Sequence, residues 1–257
     1  MAVPEGYAGI LPLFLFLAGL AVGSFLNVVV QRLPRGESVL APRSRCPVCA
    51  APIRPGDNLP VVSFVVLGGR CRACRTRIPL RYPVMELLTG VLFATAPTGE
   101  GWTSLLTWIL FGSLVLTLAA TDLERFILPD ALTLPGALAG LALAGPRPDL
   151  DLAASALGAL LGAGLLLFVR WVWLRVRRVE ALGQGDIKMM LLIGAFLGPA
   201  ATLHAVVLAS AAGLLIAGPL LLWERISRST PLPFGTLLAV GAAIRFVLPP
   251  GLLPGSG

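Results

Sequence analysis

The chain has 257 residues, of which 56% are hydrophobic and only 13% charged, and its mean hydropathy is +0.88. A soluble domain carries about 25% charged residues, so this composition excludes a soluble fold, a disordered chain, a coiled coil and a cysteine-stapled secreted domain. It predicts an all-α polytopic membrane protein, and the net charge of +7 is that of basic loops held against anionic lipid rather than of a nucleic-acid binder.

In chain order, nothing is charged between Glu5 and Arg32, which defines a first transmembrane helix within residues 1–30. No Lys or Arg precedes this run and ten Arg follow it in the next loop, the reverse of a cleaved signal peptide. Ser24, Asn27 and Gln31 fall three and four apart on one face of this helix. A polar stripe in lipid faces protein or water, which suits packing between helices or contact with a substrate.

Residues 31–82 form a polar insert. Its ten Arg against Glu37 and Asp57 give +8, more than the whole chain. Turn signals stand at Arg54-Pro55-Gly56-Asp57 and Gly68-Gly69, and Val61–Val66 reads as a short strand. All four cysteines lie here, as Cys46-Pro-Val-Cys49 and Cys71-Arg-Ala-Cys74. Two C-x2-C pairs at this separation offer four thiolates to one structural Zn²⁺. The alternatives are two disulfides, which a reducing compartment disfavours, or a redox CxxC. An insert this small builds little core, and a metal is a suitable staple.

The third domain, 83–257, is a transmembrane bundle. Its charge-free runs are 87–99, 101–121, 131–146, 152–169, 189–223 and 229–244. A hydrocarbon core of ~30 Å takes roughly 20 residues per helix. The run 189–223 is too long for one span and breaks at Leu197-Gly198-Pro199, giving about eight transmembrane helices, of which 83–97 is the weakest. By the positive-inside rule the arginine-rich insert is cytoplasmic and the N-terminus outside. The clusters Arg170–Lys188 and Arg225–Arg228 return to the cytoplasmic side after even numbers of crossings.

Two acids stand at helix ends on that side: Asp122, in Thr121-Asp122-Leu-Glu-Arg125, and Asp186, in Gly183-Gln-Gly185-Asp186-Ile-Lys188. Two carboxyl groups within reach of one another suit a hydrolase in which one holds a proton and the other takes one from water. Gly183 and Gly185 strip side chains from the approach to Asp186. The plainer roles are helix capping for Asp186 and Asp130 and an ion pair with Arg125 for Asp122.

At this point the sequence resembles the type IV prepilin peptidase family, the GxGD-type membrane aspartic proteases. The resemblance rests on Gly23-Ser-Phe-Leu-Asn27-Val-Val-Val-Gln31-Arg32-Leu-Pro34, the double CxxC insert, Arg81-Tyr-Pro-Val-Met-Glu86-Leu-Leu-Thr-Gly90, the segment Thr121-Asp122 to Pro129-Asp130, Gly183-Gln-Gly-Asp186-Ile-Lys188 and Pro233-Phe234-Gly235. Gln31 stands where the family commonly has tyrosine.

The resemblance implies that Asp122 and Asp186 are the catalytic pair. It implies an enzyme of the bacterial cytoplasmic (inner) membrane that cuts the basic leader of type IV prepilins, or of secretion pseudopilins, on the cytoplasmic side. It also implies methylation of the new N-terminus with S-adenosylmethionine. Gly183, Gly185, Lys188, Glu86 and Asn27 are candidate support. Glu86 has Arg81 or Lys188 as possible partners, or a part in methyl transfer, and Lys188 would snorkel or tune the local field. A peptidase without methylation is one alternative. A proton-coupled transporter using the two Asp is another, though it would more often place its acids at the midplane and show two related halves.

Overall fold

A computed structural model describes residues 9–178, 180, 182–223, 225 and 232–248. The described residues are all-helical: α1 Leu11–Arg32, α2 Val62–Val66, α3 Arg81–Ala94, α4 Trp102–Arg125, α5 Asp130–Ala144, α6 Leu152–Val176, α7 Gln184–Leu222 and α8 Phe234–Val247. α1, α4, α6 and α7 are long and apolar enough to cross a membrane, while α5 and α8 are shorter apolar helices. The chain is a multi-pass membrane protein. It forms two compact units that divide between Thr117 and Leu118, within α4.

In the first unit α1 and α3 pack antiparallel through small residues. A Cβ on Gly19 would lie 2.6 Å from the Thr89 carbonyl oxygen, and one on Gly23 would lie 2.7 Å from the Glu86 Cα. The polar stripe of α1 faces α3. The Asn27 amide donates to the Tyr82 carbonyl at 3.1 Å, and the Tyr82 hydroxyl donates to Gln31 at 3.3 Å. Packing between helices, the first of the two roles expected for this stripe, is what these contacts provide. α3 begins two residues ahead of Pro83, because a proline in the first turn gives up an N–H that has no helical partner anyway. Val61–Val66 is not the expected strand. Val61 sits at φ +60 and Val62–Val66 coil into the single helical turn α2. With no neighbouring strand to pair with, local i→i+4 bonds satisfy this backbone instead, as Val65 N–H to Val61 O shows.

In the second unit α6 and α8 pack on α7, and α5 packs on α7 and α6. The expected interruption of the long run is present. Gly198 has φ +73 and breaks the helical path of α7 ahead of Pro199, a conformation that favours glycine. The carbonyls near the break are taken up by side chains from α6, the link before it and α7 itself. Ser155 Oγ donates to Ala195 O at 2.6 Å, Arg147 Nη1 to Phe196 O at 2.9 Å, and Thr202 Oγ1 to Gly198 O at 2.5 Å. With no water in the hydrocarbon, such internal partners are what make a broken helix tolerable.

α6 reaches α7 through Gly158 and Gly194, whose backbones are so close that a Cβ on either would strike the other's carbonyl. Gly194→Val is therefore expected to cost about 3 kcal/mol. Gly164→Val, at a position with open space around it, should change little. Thermal or denaturant unfolding of the purified chain in detergent measures both.

Candidate functional site: a paired-aspartate centre and a four-thiol cluster

Asp122 lies in the last turn of α4, which ends when Phe126 turns to φ +55 and returns its N–H to the Asp122 carbonyl at 2.8 Å. The short link that follows carries Leu128 to the start of α5. Asp122 is only 5% exposed. Its Oδ2 accepts two hydrogen bonds from Thr236, one from the backbone N–H at 2.6 Å and one from the hydroxyl at 3.0 Å. Thr236 is the third residue of α8, and its N–H is one of the donors that a helix start leaves without an intrahelical partner. A carboxylate is a favoured acceptor there, because the helix dipole presents its positive end.

Asp186 is held in a related way by its own helix. It is the third residue of α7, and its Oδ2 accepts the Gly183 N–H at 3.1 Å. It is therefore not the residue that precedes its helix, but one that reaches back to it. One side chain, Leu128, links the neighbourhoods of the two acids. A Cβ on Gly185 would lie 3.0 Å from Leu128 Cβ. A Cβ on Gly235 would lie 2.9 Å from Leu128 Cδ1 and 3.0 Å from Asp122 Cγ. Both glycines are thus places where any side chain would push on the acids' neighbourhood.

The other expected site residues fall as follows. Lys188 donates to Asp130 at 2.6 and 2.7 Å, so its partner is an acid of α5 and not Glu86. Asp130 is the first residue of α5, and Pro129, which has no polar side chain, holds the capping position. The expected cap is therefore not formed, and the Asp130 carboxylate pairs with Lys188 instead. Asn27 and Glu86 belong to the first unit. Glu86 is 7% exposed, and its Oε2 accepts the Val61 N–H at 2.7 Å. Sequence reasoning missed Thr236 and Leu128. Thr236 had a usable signal: a hydroxyl residue in the first turn after Pro233-Phe234-Gly235. Leu128 had none, since its role is shape alone.

The four cysteines come together in the first unit, and all four Sγ atoms lie within 4.8 Å of one another. Two matching knuckles place them. In the first, Cys46 N–H bonds Ala51 O and Ala50 N–H bonds Cys46 O. In the second, Cys71 N–H bonds Thr76 O and Arg75 N–H bonds Cys71 O. Ala50 and Arg75 take positive φ at the same step, +56 and +59, and bridges Arg45–Pro52 and Arg70–Arg77 close each loop. A tetrahedral ion with ~2.3 Å bonds to sulfur needs an S···S edge of about 3.8 Å, and Cys46 and Cys74 stand 3.8 Å apart. The donor set and its spacing fit a metal ion.

The Cys49 backbone N–H, with other bonds from the knuckle, lowers the Cys46 thiol to about 7. Cys74 receives the Thr76 N–H, yet burial and the other three sulfurs drive it up to about 12. Four sulfurs this close do not all ionise without a cation among them. Arg72 grips Asp57 through bonds of 2.7–3.1 Å and ties the Pro55–Asn58 turn to the second knuckle.

The fold and site define a class: a polytopic helical membrane protein with two aspartates gathered at helix ends and a four-thiol cluster in its first unit. Known families place it further. Residues 17–98 match the bacterial peptidase A24 N-terminal domain and residues 108–218 match the type IV leader peptidase family. The chain is similar to three proteins that each bear the name prepilin leader peptidase/N-methyltransferase. One from Klebsiella pneumoniae is 44% identical over 207 residues, covering 77% of this chain and 90% of that protein. One from Burkholderia pseudomallei (strain 1026b) is 37% identical over 258 residues, covering 90% and 83%. One from Myxococcus xanthus is 41% identical over 216 residues, covering 84% of this chain but 64% of that protein. No solved structure matches. The chain belongs to the type IV leader peptidase family.

One metal ion per chain is the expected content of the purified protein by elemental analysis. Cys71→Ser removes one of four ligands and should drop that content several-fold, while the helical signal of the membrane bundle persists. Metal content near zero in the unmutated protein, with four free thiols, would contradict the cluster's assignment.

Proposed function

We infer that this chain is a prepilin leader peptidase and N-methyltransferase, as its family and relatives are named. Its substrates are type IV prepilins or pseudopilins, of the kind used in pili and type II secretion. The observation that carries the peptidase reading is that Leu128 lies against both Gly185, which precedes Asp186, and Gly235, which lies against Asp122. One carboxylate takes a proton from water, and the oxygen so activated attacks the scissile carbonyl. The other carboxyl gives its proton to the departing amine. Thr236 fixes the plane of the Asp122 carboxylate with two hydrogen bonds, and Gly183 fixes that of Asp186 with one. Gly185 and Gly235 let Leu128 and Asp122 pack against the starts of α7 and α8.

The charge pattern supports a cytoplasmic position for this centre and for the cysteine insert, with the N-terminus outside and about eight crossings in the inner membrane. In this reading α3, α5, α8 and the two halves of α7 are spans as well. Zn²⁺ is the ion that four cysteine sulfurs in two knuckles suit best; when bound it is a structural staple of the insert. The methyl donor, S-adenosylmethionine, is a second substrate.

Reconstitution of the chain with a prepilin, with and without S-adenosylmethionine, tests both activities by the mass of the product. The expected result is loss of the leader in both cases and one added methyl only with the donor. An uncut precursor would contradict the peptidase reading, and a cut but unmethylated product would contradict the second activity. Asp122→Asn and Asp186→Asn are each expected to lower cleavage by about a thousandfold or more. The double variant should be little worse than either, because the pair acts as a unit. Asp130→Asn breaks only a largely exposed ion pair and should retain most of the rate.

A further inference from the structure

We propose that α2 is a foot that rests the four-cysteine segment on the lipid bilayer, with its apolar face seated in the membrane surface. The occupant of that face is anionic phospholipid. Leu59–Leu67, interrupted only by Ser63, is the longest mainly apolar stretch in the arginine-rich segment 31–82. It coils so that its two faces differ. On one, Ser63 is buried with its hydroxyl on the Gly56 carbonyl at 3.0 Å, and the Phe64 ring covers Gly69. On the other, Val62, Val65 and Val66 follow helical spacing and are 56%, 70% and 73% exposed, and Leu59 in the extended lead-in is 54% exposed. Water is a poor solvent for such a face, and among the described residues nothing else in the first unit covers it.

The register of the first unit sets the depth of this face. Gly23 lies against Glu86, Gly19 against Gly90, and Asn27 bonds Tyr82. In this register Arg81 at the start of α3 faces Val28, about one turn inside Arg32 at the end of α1, so the two arginines bracket the level where both helices reach the headgroups. Glu86 is one turn further in. Its side chain leans back toward the start of α3, as helical side chains do, and accepts the Val61 N–H at 2.7 Å. That bond holds Val61 beside the first turn of α3 and fixes it at φ +60, a conformation costly for a β-branched residue. α2 begins at the next residue, so its valines lie at the membrane boundary. Exposed Arg54 and Arg70 are the nearest arginines on either side of it in sequence, and exposed Arg77 bridges to Arg70. An apolar face in an arginine-rich segment is the chemistry of a segment lying in an anionic interface.

The test uses the full chain with a benzophenone amino acid in place of Val65 or Val66, reconstituted in vesicles of phosphatidylglycerol and phosphatidylethanolamine. Val48, 70% exposed in the first knuckle, is the comparison position. After irradiation, intact mass should show phospholipid adducts at 65 and 66 at least about fivefold above those at 48. Retained metal content certifies that each variant has kept its insert. Glu86→Leu, which removes the acceptor for Val61, should lower the adduct yield at 65 several-fold, whereas Glu86→Gln, which keeps an acceptor oxygen, should restore much of it. Adducts at 65 and 66 no greater than at 48 would overturn the proposal. So would adducts that pass from lipid to an added prepilin, which would assign the face to substrate. Neither outcome depends on cleavage or methylation, so the proposal fails or stands apart from the enzyme reading.

Discussion

The start of a helix leaves N–H groups without partners, and in an apolar solvent those groups must find acceptors inside the protein. In the second unit the acceptors are the very carboxylates on which the proposed chemistry depends. α8 offers its Thr236 N–H to Asp122, and α7 opens by returning Asp186 to the Gly183 N–H. The arrangement settles two problems together. The helix starts are satisfied, and each acid is held in one orientation with an oxygen left for other work. Elements distant in sequence thereby meet: Asp122 and Thr236 are 114 residues apart.

The close approach of these elements rests on small residues. Gly158 and Gly194 let α6 and α7 touch backbone to backbone, and Gly241 lets α8 reach the Ala205 region of α7 in the same manner. In lipid there is no hydrophobic force to press helices together, so contact of this kind and internal hydrogen bonds do the holding. The break at Gly198 belongs to the same scheme. Ser155, Thr202 and Arg147 supply donors around it, and the first half of α7 keeps Gly185 and Asp186 at its start while its far end is fixed.

Much of this was legible in the sequence, and for physical reasons. Charge-free runs mark apolar helices because charge is costly in hydrocarbon, and Gly198-Pro199 marks the break because neither residue continues a helix well. The cysteine spacing foretold the knuckles because four sulfurs can meet only if each pair closes a tight loop. Other features were hidden. Val61–Val66 looked like a strand because β-branched residues favour strands, but that preference yields where no partner strand exists. Asp130 looked like a cap, yet Lys188, remote in sequence, claims it. Thr236 stands in a recognisable first turn after Pro233-Phe234-Gly235, but its partner, Asp122, lies 114 residues away, and no local pattern encodes that pairing.

The central claim is that the start of α8 orients Asp122, and the cleavage rate of reconstituted Thr236 variants tests it most directly. Thr236→Val keeps the shape and the backbone N–H but loses the hydroxyl bond. Loss of about 1–1.5 kcal/mol corresponds to a fall of roughly tenfold in rate, with helical content and metal content unchanged. Thr236→Ser, which keeps the hydroxyl, should cleave at close to the unmutated rate. A Thr236→Val protein that cleaves prepilin as fast as the unmutated chain would contradict the account.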